Sequence, residues 1–176
     1  MQKLTATLII CFALQQALAQ PQRRVNAYLL TQYNNTIYDA TPGNNPWSIG
    51  VGLQAFFNTN TIVIPIAEIT VDAYLADDKV GRLNSGGSIQ DDLGGMINVF
   101  IGASVNPVKS INLSFSAGPS FINGKVYTGI KPSAGFYFSK NKRWMGKISY
   151  INIFNRDKIS GEDFGSVSIG IGLKLF

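Results

Sequence analysis

Residues 165–176 read GSVSIGIGLKLF, from Gly165 to Phe176. Every second residue in this stretch is apolar: Val167, Ile169, Ile171, Leu173 and Leu175. The residues between them are small or polar: Ser166, Ser168, Gly170, Gly172 and Lys174. Because successive side chains of a strand point to opposite faces, this pattern predicts a β-strand with one apolar and one small, polar face. A soluble sheet with one hydrated face would show the same alternation.

The same alternation recurs along the chain, and the sequence predicts eight strands at residues 25–33, 47–57, 62–76, 96–105, 111–121, 127–138, 144–154 and 165–176. Their lengths are close to the ~9–11 residues that a tilted membrane-spanning strand needs. No stretch reaches the roughly 20 apolar residues of a membrane helix. In a bilayer, strands satisfy all their backbone groups only in a closed barrel. We therefore predict an all-β fold, a single eight-stranded antiparallel up-and-down transmembrane β-barrel, over residues 20–176.

The first 19 residues have the three-part order of a secretory signal peptide. Lys3 supplies a positive charge, residues 4–14 are mostly apolar, and Ala17-Leu18-Ala19 has the small-x-small form of a cleavage site. The sequence thus predicts export and a mature chain that starts at Gln20. A lipid anchor at Cys11 is a weaker alternative, because the bulky Ile10 precedes the cysteine.

Connections of different length are predicted to alternate between the strands. Those at 34–46, 77–95 and 155–164 are long, 122–126 is modest, and 58–61, 106–110 and 139–143 are short. Outer-membrane barrels have long extracellular loops and short periplasmic turns. The pattern places all the short connections on the periplasmic side and makes residues 77–95 the main extracellular loop, with a partner that the sequence does not name.

Composition excludes several kinds of chemistry. The chain has no histidine, and its single cysteine, Cys11, lies in the predicted signal peptide. Catalysis by Ser-His-Asp or Cys-His groups and histidine or cysteine metal sites are therefore excluded for the mature chain. The net charge is only +5, and no basic cluster with stacking aromatics indicates nucleic acid. We predict a protein that is not an enzyme, with no catalytic residues, no cofactor, no metal and no nucleic-acid partner.

Five charged residues fall on the inward faces of the predicted strands: Glu68, Asp72, Lys131, Lys147 and Lys174. The interior of a small barrel is filled by side chains, and charges buried there must be paired. We therefore predict that the two acids meet the three lysines in one cluster inside the lumen, among glycines and serines.

A few residues conflict with this pattern. Pro65, Pro119 and Pro132 lie within predicted strands, where a closed barrel has no free edge for a residue without an N–H. We expect each near a strand end or a bulge. Asn152 falls on the lipid-facing side, which predicts a register shift near the outer end of the seventh strand.

Export signal, eight strands and terminal aromatic strand together resemble the small outer-membrane barrels of the OmpA, OmpX and OmpW type. The resemblance implies outer-membrane localisation, contact with outer-membrane lipid and a structural or surface-interaction role. By this resemblance, Ile171, Leu173, Leu175 and Phe176 form the signal for the barrel-assembly machinery, although Phe176 lies out of phase with Leu175 and Leu173. The OmpW-like members imply an alternative, a narrow transport route for a small apolar solute.

Two shorter segments resemble another family. Residues 64–70, IPIAEIT, and residues 170–176, GIGLKLF, are similar to segments of TraO-type conjugal-transfer outer-membrane proteins. This second resemblance implies an accessory role in a conjugation apparatus.

Overall fold

The computed structural model describes residues 25–38, 47–59, 61–75, 94–156 and 163–176. These residues form eight strands, which we number β1 (Val25–Tyr38), β2 (Trp47–Phe57), β3 (Val63–Leu75), β4 (Gly95–Val108), β5 (Ile111–Ile122), β6 (Lys125–Tyr137), β7 (Trp144–Ile153) and β8 (Phe164–Lys174). Each strand pairs antiparallel with its neighbours, and β8 pairs with β1, so the sheet is a closed barrel. The predicted fold class is confirmed. In the described part of the chain, no helix is long and apolar enough to cross a membrane.

The strands are strongly staggered. A row of paired residues can be followed round the wall through Ala27, Ala55, Ala67, Ile101, Ala117, Ile130, Asn152 and Gly165. Ala27 itself is hydrogen-bonded not to Gly165 but to Leu175, ten residues further along. Closing the barrel with this stagger tilts the strands, so residues at one height come from different rows. We call the end with Val25 and Lys174 the terminal end and the opposite end the loop end.

Two strands, β1 and β4, are longer than predicted by several residues. β1 continues past Tyr33 to Tyr38, with a register shift against β8 between Thr36 and Tyr38. β4 continues to Val108, with a shift against β5 between Val105 and Val108. Each extension contains an irregularity that interrupts the simple alternation, which explains why the sequence pattern ended earlier.

The connection between β5 and β6 corrects the predicted loop asymmetry. It is a tight two-residue turn at the loop end, Asn123-Gly124, with φ values of 48° and 74°. Positive φ at both positions is typical of a type I′ hairpin turn, for which Asn-Gly is a favoured sequence. The prediction that all short connections lie at the other end is therefore wrong for this hairpin. The long connections predicted at 34–46, 77–95 and 155–164 fall mostly outside the described residues, as does the signal peptide.

The three prolines differ in how the wall accommodates them. Pro65 lies at the start of β3, beyond the last β2–β3 pair at Ile66. Pro119 lies near the end of β5, where the ladder to β4 skips two pairs. Pro132 lies in the middle of β6 without a register shift, so its expected position was wrong. There the β6–β7 ladder omits the pairs of Lys131 and Pro132, since proline has no N–H to donate.

Asn152 does not shift the register of β7. The β7–β8 ladder is continuous from Trp144 to Ile153, so the predicted shift is wrong. Asn152 keeps its outward position but is only 6% exposed, because Tyr38 covers it. The Tyr38 hydroxyl donates to Asn152 Oδ1, and Asn152 Nδ2 donates to Asp163 Oδ2 at 3.1 Å. The outward amide is thus hydrogen-bonded within the protein.

Candidate functional site

The lumen contains an apolar plug at the terminal end. It consists of the buried residues Tyr28, Leu30, Phe56, Ile66 and Met145, with Ile64 and Tyr137 packed against them. The Tyr28 and Phe56 rings meet edge to face, with centroids 5.6 Å apart. Aromatic pairs in this arrangement add to the stabilisation from burial alone. We call this group the terminal plug.

A second apolar plug lies at the loop end. It consists of the buried residues Tyr74, Met96, Phe100, Ile122, Ile151, Ile153 and Phe164, with Tyr127 packed against them. The Tyr74 and Phe164 rings are also edge to face, at 5.6 Å. We call this group the loop plug. Neither plug was predicted from the sequence, where the inward faces were interpreted as small, polar and charged.

Between the plugs lies a polar layer centred on Glu68. Lys131 Nζ lies 2.6 Å from Glu68 Oε1, and Lys147 Nζ forms an ion pair with Glu68 Oε2. The Glu68 side chain is 1% exposed, and the two lysines are 2% and 6% exposed. Lys147 Nζ also donates to Gln54 Oε1 at 3.2 Å. One carboxylate on β3 therefore links β6 and β7 across the interior. Three of the five residues of the predicted charge cluster lie together here.

Asp72 is buried in the same layer but has different partners. Its Oδ1 accepts hydrogen bonds from Gln32 Nε2 at 2.6 Å and Asn34 Nδ2 at 2.8 Å. Its Oδ2 accepts from Asn98 Nδ2 at 3.2 Å and Thr70 Oγ1 at 3.3 Å. The predicted pairing of Asp72 with lysine is therefore wrong. Its carboxylate accepts hydrogen bonds from three side-chain amides and one hydroxyl instead. The reason is position, since Asp72 lies four residues beyond Glu68, towards the loop end.

Lys174, the third lysine of the predicted cluster, lies beside the terminal plug. It is partly buried at the terminal end of β8 and is paired in register with Tyr28, which belongs to the terminal plug. Its partner in the strand pair therefore belongs to the terminal plug and not to the layer around Glu68.

Small inward residues make room for this polar layer. A Cβ on Gly50 would lie 1.9 Å from Asp72 Oδ1, and a Cβ on Gly102 would lie 2.0 Å from the Phe115 carbonyl oxygen. Glycine is therefore the residue that lets both positions pack closely. The interior is a packed core, and its buried carboxylates form their hydrogen bonds and ion pairs inside the lumen.

The predicted assembly signal lies where the barrel closes. Ile171 and Leu175 are exposed on the outward face, and Leu173 between them is half-buried. Past the end of β8, Leu175 N donates to Ala27 O at 2.8 Å, and Ala27 N donates to Phe176 O at 3.2 Å. The contact with β1 thus continues to Phe176. Recognition of these residues by assembly machinery stays a prediction.

Comparison with solved structures gives the fold a context. The chain is similar to a de novo designed transmembrane β-barrel, with a TM-score of 0.52 and 11% identity over 89% of this chain and 100% of the other. It is similar to the Yersinia pestis outer membrane protein Ail in a bilayer nanodisc, with a TM-score of 0.55 and 12% identity over 85% and 99% of the two chains. The crystal structure of Ail, the attachment invasion locus protein, gives a TM-score of 0.52 and 11% identity over 86% and 97%.

At these identities the likeness concerns the fold alone, which is that of the small eight-stranded outer-membrane barrels. The resemblance to barrels of this type, drawn from the sequence, is confirmed at that level. No protein-family model matches the chain, and no curated protein matches it.

Proposed function

We propose that this protein is an integral barrel of the bacterial outer membrane with a structural or surface-interaction role, a closed lumen and no catalytic activity. The observation that carries the proposal is the arrangement of apolar side chains. Large apolar residues are exposed on the outward face of all eight strands, as a lipid-facing wall requires, while two further apolar groups close the lumen.

The plugged lumen argues against the transport alternative. A solute would have to displace both plugs and also pass the buried ion pairs of Glu68. Separating such a pair leaves a charge without its partner in a medium that solvates it poorly. The same ion pairs leave Glu68 no free oxygen for proton transfer, and the chain has no histidine. An accessory role in conjugation stays a prediction.

The first test is electrical. The purified barrel, folded into a planar bilayer, is expected to show no steady single-channel conductance, because the terminal and loop plugs block the route. A channel-forming porin recorded in the same bilayer shows that currents can be detected. Large and stable conductance steps from the wild-type protein would contradict the closed lumen and favour transport.

The second test is topological. Trypsin added to intact cells is expected to cut at Lys79 or Arg82, in the connection between β3 and β4, and to spare Lys140 and Arg143 at the terminal end. Permeabilised cells provide the control, since trypsin should then reach both sites. Cleavage at Lys140 or Arg143 in intact cells would reverse the proposed orientation, and recovery of the mature protein as a soluble periplasmic species would reject membrane insertion.

A further inference from the structure

The two ends of the barrel differ in charge. The connections at the terminal end contain Lys109, Lys140, Lys142 and Arg143 and no acidic residue. Of the acids, Glu68 and Asp72 face the lumen, and all the others belong in the sequence to the connections between β1 and β2, β3 and β4 or β7 and β8, whose flanking strand residues lie at the loop end. All the charged residues of the connections at the terminal end are therefore basic, which points to an anionic partner.

The turn between β6 and β7 carries three of these bases in a fixed shape. Its backbone is held by Lys142 N donating to Ser139 O at 2.9 Å and by Arg143 N donating to Asn141 Oδ1 at 3.1 Å. The Tyr28 hydroxyl, from the terminal plug, donates to Lys142 O at 2.8 Å. Lys142 Nζ lies 4.7 Å from the centre of the Tyr137 ring, a cation–π contact. Lys142 thus braces the turn, while Lys140 and Arg143 are exposed.

The neighbouring turn adds a fourth base on the same side of the barrel. Lys109 is exposed in the turn between β4 and β5. The adjacent Ser110 carbonyl accepts a hydrogen bond from Tyr137 N at 2.8 Å, which ties this turn to the end of β6. We call Lys109, Lys140, Lys142 and Arg143 the basic face.

Exposed apolar side chains on the outer wall border the basic face. Phe138 and Trp144 flank the β6–β7 turn and are 68% and 46% exposed, and Val108, next to Lys109, is 50% exposed. Aromatic side chains on a membrane protein gather at the boundary between acyl chains and headgroups. Cations placed immediately beyond such residues lie at the depth of the lipid phosphates.

We propose that the basic face binds the phosphate groups of anionic phospholipids in the leaflet around the terminal end of the barrel. The proposal rests on the membrane location proposed above and names the lipid chemistry that this end selects. Charge complementarity favours anionic over zwitterionic headgroups, and the flanking Phe138 and Trp144 favour a membrane surface over a soluble polyanion. The bound lipids would hold the barrel at a defined depth in the leaflet.

The test measures lipid selectivity at the barrel wall. The mature protein is folded into vesicles of phosphatidylcholine, and trace spin-labelled phosphatidylglycerol or phosphatidylcholine is added. Electron spin resonance then gives the fraction of each label immobilised by the protein. We expect wild type to immobilise a larger fraction of the phosphatidylglycerol label than of the phosphatidylcholine label. A variant with Lys109→Gln, Lys140→Gln and Arg143→Gln should lose that preference. Each cation near an anionic surface is worth roughly fivefold in local lipid association at low salt, which is an upper bound for a signal averaged round the wall.

A matched variant and a salt titration make the result decisive. Lys125→Gln removes one exposed base at the loop end and should keep the preference, whereas added salt should abolish it in wild type. Equal selectivity of wild type and triple variant, loss of selectivity in Lys125→Gln, or selectivity that salt does not alter would overturn the proposal. So would wild type without lipid preference that binds purified peptidoglycan through the same residues. Failure to insert into any vesicle would instead reject the membrane location. Lys142 is left in place because it braces the turn, and if the triple variant does not fold, the salt titration of wild type decides.

Discussion

Replacing Glu68 by alanine is expected to destabilise the barrel by about 3–5 kcal/mol, because it leaves two buried ammonium groups without their carboxylate. Lys131 and Lys147 both depend on this one side chain, and both are at least nine-tenths buried. Within the described residues, their remaining polar contacts are with Gln32 Oε1 at 3.5 Å and Gln54 Oε1 at 3.2 Å. Neutral amide oxygens do not replace the missing charge. The quantity to measure is the free energy of unfolding by urea in phosphatidylcholine vesicles.

Three further variants separate charge from packing. Glu68→Gln retains the side-chain volume, so a loss close to that of Glu68→Ala would identify charge as the cause. A Glu68→Leu, Lys131→Met, Lys147→Met variant removes all three charges and should recover much of the stability, since replacing a whole buried ionic group by apolar residues is often neutral or stabilising. Asp91→Ala with Asp92→Ala, in the connection between β3 and β4, is expected to have little effect. If Glu68→Ala unfolds at the same urea concentration as that loop variant, the ion pairs do not stabilise the barrel.

The sequence was sufficient to predict which face of each strand points inward, but not which inward residues meet. Strand alternation alone placed Glu68, Asp72, Lys131 and Lys147 in the lumen. Contact depends also on register and stagger, which shift each strand along its neighbour by an amount that no local pattern encodes. In the folded barrel, Lys131 and Lys147 reach Glu68, while Asp72 lies in the part of the polar layer nearer the loop end, among Gln32, Asn34 and Asn98.

The sequence does contain a signal for the two plugs, in the large apolar residues at inward positions. Phe56 lies two residues from Gln54, Phe100 two from Asn98, and Met145 two from Lys147, so each shares the inward phase of a polar residue. An inward apolar side chain in a small barrel has to pack against others across the lumen. A search of all inward positions for large apolar residues would have found members of both plugs.

The surroundings of Pro132 and Asn152 could not be predicted from the sequence for another reason. The side-chain pattern does not show whether a backbone group pairs, and Pro132 sits in the middle of β6 because the β6–β7 ladder omits two pairs there. Similarly, Asn152 remains outward because Tyr38, on a strand distant in sequence, covers it. The irregularity in β1 between Thr36 and Tyr38 precedes that contact. Such compensation is a property of the closed barrel and not of either segment.

Placing arginine at Ile169 is expected to cost about 2–4 kcal/mol, the penalty for a cation on the lipid-facing surface near the bilayer midplane. Ile169 is the central residue of β8, 61% exposed on the outward face, and is paired with Tyr33 and Ile148. No acid lies beside it in either pair, so the arginine would remain in the hydrocarbon or distort the bilayer to reach water. Folding free energy in vesicles of defined lipid composition measures this cost.

The adjacent position provides the control for this prediction. Ser168 is only 3% exposed and faces the lumen, where its hydroxyl donates a long hydrogen bond, 3.5 Å, to the Ser149 carbonyl. Ser168→Ala should therefore cost no more than about 1 kcal/mol, the usual worth of a single hydrogen bond. On a soluble sheet the outward face would be hydrated and arginine at position 169 would be tolerated. A small effect of Ile169→Arg, equal to that of Ser168→Ala, would thus contradict a lipid-facing wall, whereas a large difference between two neighbouring residues is what a membrane on one side and a packed lumen on the other require.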